Sequence, residues 1–297
     1  MALRPGILAA LPTPFTAGGD LDRTSLGRVV RDAVAAGADG LLAAVRAGEV
    51  DALSDAEREA VARTVAEVNR DAVPWVLGAS APGIEGVHRH AALARELGAS
   101  AFLVAVPAPF YGRPEDIVPF FRAVAAGHDT PLLVEDSEPG GQGMDLAVLR
   151  ALRDAVPTLA GILVEASPFG PKLSALAGAG SFVCAGRALS QLVEALDRGC
   201  QAAVVDASVA RVAKAVDRAH RGGDRGRAVE IFRRLAPVLA FPERDALTSI
   251  AFGKRLLKRK GLIESAATRV PFPWDEWNRR AADEAIDLYR EAEGAAG

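Results

Sequence analysis

The sequence predicts an α/β chain, a (β/α)₈ barrel followed by a C-terminal helical extension, and three observations carry that expectation. Eight short apolar runs of strand length are separated by longer stretches with helical periodicity. The runs are continuously apolar rather than alternating, which marks strands covered on both faces, as in a parallel sheet wrapped by helices. The eight units fill about 210 residues, the size of such a barrel.

In chain order, "ILAALPTPF" opens the barrel and "LGRVVRDAVAAG" supplies a helix behind it, closed by Gly37. "GLLAAV" is the second strand, and "WVLGAS" is the third. The latter leads into the helix "VHRHAALARELGA" with Gly98 at its end. "AFLVAVP", "PLLVED", "AGILVEAS" and "SFVCAG" are strands four to seven, and "LSQLVEALDRG" follows the seventh. "AAVVDAS" is the eighth, and no glycine-rich phosphate turn follows the first strand, which argues against a doubly wound open sheet. Past residue 209 only helical patterns remain, so the expected division is a barrel over 1–225 and a helical region over 226–297 that packs on the barrel or builds an oligomer contact.

Composition excludes several classes. The chain has 297 residues, half of them hydrophobic, and a formal net charge of -3, which describes a soluble protein with a large core. No signal-peptide pattern and no run of about 18 apolar residues occurs, so the expectation is a cytoplasmic protein without membrane contact. The basic cluster "GKRLLKRKG" sits on an amphipathic helix and reads as a solvated face rather than a nucleic-acid patch. Cys184 and Cys200 read as buried thiols, and His88 and His90 as surface residues of the third helix.

Five segments, in order over almost the whole chain, resemble the dihydrodipicolinate synthase and N-acetylneuraminate lyase family. They are "LPTPFTAGGDLDRTSL", "GLLAAVRAGEVDALSDAERE", "GASAFLVAVPAPFYGRP", "GILVEAS", and "GKRLLKRKGLI" with "TRVPFP". The resemblance implies a (β/α)₈ barrel with a helical extension, assembled as a homo-oligomer (dimer or tetramer), with no bound cofactor. It also implies a lysine at the end of the sixth strand that forms an imine with pyruvate or another 2-oxo acid, whose iminium is an electron sink. A tyrosine on the fifth strand would relay protons, and a Thr-Thr-Gly-Glu turn after the second would hold the substrate carboxylate.

The chain departs from that pattern at each of these places. Aligned on Glu165, Val164 stands at the lysine position, as the last inward side chain of the sixth strand. Glu135 stands at the tyrosine position, in "EDSEP"; a slip of one residue would exchange its face with that of Asp136. In the turn "VRAGE", Arg46 and Ala47 replace the threonines, while Gly48 and Glu49 remain. "APFYGRP" keeps an aromatic pair in Phe110 and Tyr111, and Arg187 stands where the family often has an acid.

Only five lysines exist, and Lys172 alone closely follows a strand, where it reads as a solvated residue opening the sixth helix or as a migrated amine. The mouth is therefore charged, with Arg46, Glu135, Asp136, Arg187 and Asp206 near strand ends. Arg46 and Glu135 would pair with each other and fill the vacated space. Alternatively, Arg46 with Arg187, Ala47 and Gly48 would bind a small anionic substrate while Glu135 transfers a proton and Tyr111 lines the pocket or assists. A third arrangement, a divalent metal on Glu135, Asp136 and Asp206, lacks a histidine, and no metal is expected. The functions that follow are a lyase-like enzyme without a Schiff base, a non-catalytic anion-binding or partner subunit, or an aldolase or synthase using Lys172.

Overall fold

The strands close on themselves. In the computed structural model, which describes residues 1–138, 140–178, 182–186 and 190–295, eight parallel strands form a barrel in sequence order. They are β1 (Gly6–Ala10), β2 (Gly40–Ala43), β3 (Trp75–Gly78), β4 (Ala101–Ala105), β5 (Leu132–Asp136), β6 (Leu159–Val164), β7 (Phe182–Ala185) and β8 (Ala202–Asp206). All eight apolar runs of the sequence contain one strand each. Between them lie α1 (Arg23–Ala35), α2 (Asp55–Asn69), α3 (Ile84–Glu96), α4 (Ile117–Ala125), α5 (Leu146–Ala155), α6 (Phe169–Ala177) and α7 (Leu192–Asp197), and α8 (Ala210–Arg221) completes the ring. Then follow α9 (Arg225–Leu239), α10 (Ala246–Arg259) and α11 (Glu276–Ala295).

Local chemistry starts and stops these helices. Asp22, Asp224 and Asp245 accept the free amides at the starts of α1, α9 and α10, and Ser54 with Glu57 forms a reciprocal capping box on α2. Gly37 and Gly98 follow α1 and α3 with positive φ of 86° and 72°, the left-handed exit expected of them.

Buried side chains sort by strand face. An inner cluster contains Leu8, Leu42, Val76, Leu103, Leu133 and Leu163, one from each of six strands. The alternate residues, such as Ile7, Leu41, Phe102, Val134 and Val164, join a larger cluster with the helices. The β5–β6 pairing shifts between Leu132 and Leu133, so Leu132 faces Leu159 but Leu133 faces Gly161.

The helical extension shares the outer core, to which Ile231, Leu235, Leu256, Ile286 and Tyr289 contribute. Of the basic cluster read as a solvated face, Lys254 is fully buried instead. Its ammonium donates to Glu49 in the turn after β2 and, at 2.9 Å, to the Ala267 carbonyl, and it lies 4.2 Å from the centre of the Phe15 ring. His90 is also buried, at 5% exposure, which corrects its expected surface position; its ring lies 3.6 Å from Asp55, and burial lowers its pKa. Cys184 and Cys200 are buried free thiols, as expected. Among the described residues, no helix is long and apolar enough to cross a membrane.

Removing one partner of a buried ion pair leaves an uncompensated charge. Lys254→Met should therefore cost about 3–5 kcal/mol in denaturant unfolding, with much of the loss recovered when Glu49→Gln is added. A loss in the single variant no larger than for a typical surface substitution would show that the pair does not hold the extension.

Candidate active site

A cavity of about 560 Å³ opens at the carboxyl ends of the strands, where barrels of this kind place their chemistry. Ala10 of β1 and Val204, Val205 and Asp206 of β8 form part of its wall, and Arg46 and Ala47 enter from the turn after β2. Glu165 and Gly186 follow β6 and β7. The outer wall comes from Pro242 to Ile250, the start of α10 and the turn before it, a contribution the sequence reading did not anticipate.

Arg46 is the centre of the mouth. It begins a short 3₁₀ turn, and its Nη2 donates to Glu135 Oε1 at 3.2 Å and to Ser137 Oγ at 3.0 Å. Its Nη1 lies 3.9 Å from Glu165 Oε2. The Glu135 side chain is 8% exposed, so an ionised carboxylate there needs a partner, and Arg46 supplies it. Glu165 is looser, at 28% exposure. The expected pairing of Arg46 with Glu135 is thus present, and Glu165 and Ser137 complete it.

Several expectations need correction. Val164 does not face the barrel interior: it is fully buried in the layer between strands and helices. The inward residue beside Glu135 is Leu163, and the next inward position is occupied by Glu165. Counting by twos from Gly161 reaches both, whereas aligning the family lysine on Glu165 selects Val164, one position off the inward face.

Asp136 likewise faces outward. It is fully buried, and its Oδ2 accepts from Lys172 Nζ at 2.7 Å. Glu135, Asp136 and Asp206 therefore do not converge on a metal, and Lys172 is a buried residue of α6 behind the barrel wall rather than a solvated one or an amine at the mouth. Tyr111 does not line the cavity; its hydroxyl donates to Asp136 Oδ1 at 3.4 Å and accepts from the Ser137 amide at 3.0 Å. Burial and the Asp136 charge raise its pKa, which keeps the hydroxyl protonated. Gly48 is buried below the turn, its carbonyl accepting from Thr13 Oγ1 at 2.7 Å, and only Arg46 and Ala47 of that turn reach the cavity. Arg187 lies outside the described residues.

The remaining charges of the wall are largely engaged with backbone. Glu138 accepts the Gly143 amide, Glu243 the Ser190 amide, Asp206 the Ser208 amide and Asp245 the Thr248 amide, each at 2.8 Å. Burial raises the pKa of Asp206. Gly186 is required by close approach: a Cβ there would sit 2.4 Å from Glu165 Cγ and 3.0 Å from Leu163 Cδ1.

A model of the dihydrodipicolinate synthetase family matches residues 4–286. The chain belongs to the dihydrodipicolinate synthetase family. Within that family it is similar to L-2-keto-3-deoxyarabonate dehydratase of Azospirillum brasilense, 26% identical over 278 residues that span 90% of this chain and 88% of the relative. The barrel matches the 4-hydroxy-tetrahydrodipicolinate synthase of Methylacidiphilum fumariolicum SolV with a TM-score of 0.88 at 21% identity, covering 99% of this chain and 98% of that one. It matches the N-acetylneuraminate lyase of Proteus mirabilis with a TM-score of 0.85 at 20% identity, covering 97% and 98%. At these identities the two structures show a shared fold.

Set in the dihydrodipicolinate synthetase fold, none of the five lysines borders the cavity. Lys172 pairs with Asp136, Lys214 with Asp39 and Asp217, Lys254 with Glu49 and Lys260 with Asp32, while Lys258 is exposed on α10. The face assignment of β6 has a direct check. Val164→Lys would bury an amine among outer-layer side chains and should cost roughly 3 kcal/mol or more, whereas Leu163→Lys can extend its amine toward the open mouth. Melting temperatures should fall much further for the first variant; the reverse order would place Val164 inside the barrel.

Proposed function

We propose that the protein is a lyase-like enzyme acting on a small oxo or hydroxy acid by acid/base chemistry without a Schiff base. The observation that carries this reading is Arg46 at a cavity that no lysine enters, beside Glu165 of the lining and paired with the buried Glu135, which lies just behind the lining. A substrate carboxylate approaches Arg46 on its Nη1 side, where the Glu165 contact is loose, and leaves the Nη2 bonds to Glu135 and Ser137 in place.

Glu135 stays held by Arg46 Nη2 while the anion occupies the Nη1 side, and its carboxylate serves as the general base. For a hydroxy acid, Glu135 takes the proton from the carbon activated by the bound acid group. The second carboxyl, Glu165, gives a proton to the hydroxyl that departs as water, and the electron pair of the broken C–H bond becomes the new double bond. Ala47 leaves room beside Arg46 for the substrate. An aldolase or synthase mechanism on Lys172 is disfavoured because the residue is 5% exposed and its amine is engaged with Asp136 and the Gln142 carbonyl.

One observation favours a second reading, a non-catalytic subunit that binds a small anion or joins an active homologue: Arg46 is already satisfied by groups of its own chain. Association into a homo-oligomer fits either reading and is supported by Trp277, 68% exposed at the start of α11.

Borohydride trapping with pyruvate, read by intact mass and peptide mapping beside a homologue that labels, should add nothing to any lysine; an adduct on Lys172 would overturn the imine-free mechanism. In a screen of small oxo and hydroxy acids, Glu135→Gln should lower turnover by about 10²-fold or more with unchanged circular dichroism. Full activity in that variant removes Glu135 from the chemistry, and saturable binding without turnover in the wild type selects the second reading.

A further inference from the structure

Behind the cavity, on the helix side of β5, a buried chain of polar groups runs from α6 to Arg46. Lys172 Nζ donates to Asp136 Oδ2 at 2.7 Å and to the Gln142 carbonyl, which fixes the carboxylate from one side. The Met144 amide at 2.8 Å and the Tyr111 hydroxyl at 3.4 Å donate to Asp136 Oδ1 from the other. Tyr111 in turn accepts the Ser137 amide at 3.0 Å, and Ser137 Oγ accepts from Arg46 Nη2 at 3.0 Å. Asp136 has no exposed surface and Lys172 is 5% exposed, so the ion pair is committed to the interior.

This arrangement exceeds what packing requires. The residue after β5 would otherwise begin a loop with a free backbone, yet its amide is held by a phenol that is itself seated on a buried carboxylate. The same residue presents its hydroxyl to Arg46, which faces both glutamates. Adjacent residues divide the work: Glu135 meets the guanidinium from inside the barrel, Asp136 anchors the support from outside, and Ser137 joins the two.

We propose that Tyr111, seated by the Lys172–Asp136 ion pair, is a positioning residue that fixes Ser137 and through it the plane of the Arg46 guanidinium toward the cavity. Its importance for turnover rests on the reading of Arg46 as the substrate anchor, but the positioning itself does not. A guanidinium locked by two hydrogen bonds presents its remaining N–H groups in one direction, which spares a ligand the cost of ordering them.

The test measures the rate at which phenylglyoxal modifies each arginine of the full-length protein, followed by peptide mass mapping. Arg46 is 44% exposed and therefore reachable, and Arg244, exposed on the same cavity wall, is the internal control. Tyr111→Phe and Ser137→Ala should each accelerate modification of Arg46 by about two- to tenfold, the range spanned by the net worth of one hydrogen bond, with Arg244 unchanged. Because Tyr111 acts through Ser137, the double variant should react no faster than Ser137→Ala alone.

An unchanged Arg46 rate, equal acceleration at Arg244, or additive effects in the double variant would each overturn the proposal, the second by revealing general loosening. Pyruvate added to the wild type reads the anchor separately: protection of Arg46 supports it, and absence of protection removes the anchor while the variant rates still decide the positioning role.

Discussion

The buried contact between Lys254 and Glu49 is the constraint on which the rest of the mouth depends. Glu49 occupies a left-handed backbone position, φ 56°, one that a residue with a side chain adopts only when its surroundings hold it there. Its carboxylate receives the Lys254 ammonium and, at 2.7 Å, the Arg269 amide, so two parts of the C-terminal region grip one turn of the barrel. That turn carries Arg46 three residues earlier, and the helix that carries Lys254 begins at the outer wall of the cavity. The extension is therefore part of the site's frame, tied through Glu49 to the turn that carries Arg46.

Most of the barrel was legible in the sequence because its signal is redundant. Each strand is a continuous apolar run, each is followed by an amphipathic stretch, and an error in any one would be corrected by the other seven. The motifs around "LPTPF", "AGE" and "GKRLLKRKG" lie in one order along the chain, and that order located the family. The site was less legible because it depends on which side of a strand each residue occupies, which is a matter of single positions. Glu135 is inward, as its alignment with the tyrosine position implies; Val164, matched to the lysine position through Glu165, is outward, because the inward face of β6 runs through Gly161 and Leu163.

Residues whose role comes from distant partners were hidden for a different reason. Nothing local distinguishes Lys172 from an ordinary first-turn lysine, and its burial follows only from Asp136, 36 positions away in the chain. Ser137 and the start of α10 became visible as parts of the mouth only once the chain had closed. Glu165, by contrast, was in plain view as an alignment mark. The alternation Gly161, Leu163, Glu165 was signal enough to bring it into the barrel.

Gly186 shows how much a missing side chain can determine. The room that Glu165 occupies beside Leu163 is the room a methyl group at 186 would fill. The placement of a charged side chain thus depends on a residue that carries no side chain at all. With the space open, Arg46 is bordered by two acidic side chains, Glu135 at 3.2 Å and Glu165 at 3.9 Å. Were it closed, Glu165 would be displaced, and Arg46 would keep only its contacts with Glu135 and Ser137. Whether a second acidic side chain stands beside Arg46 therefore turns on the volume of one methyl group.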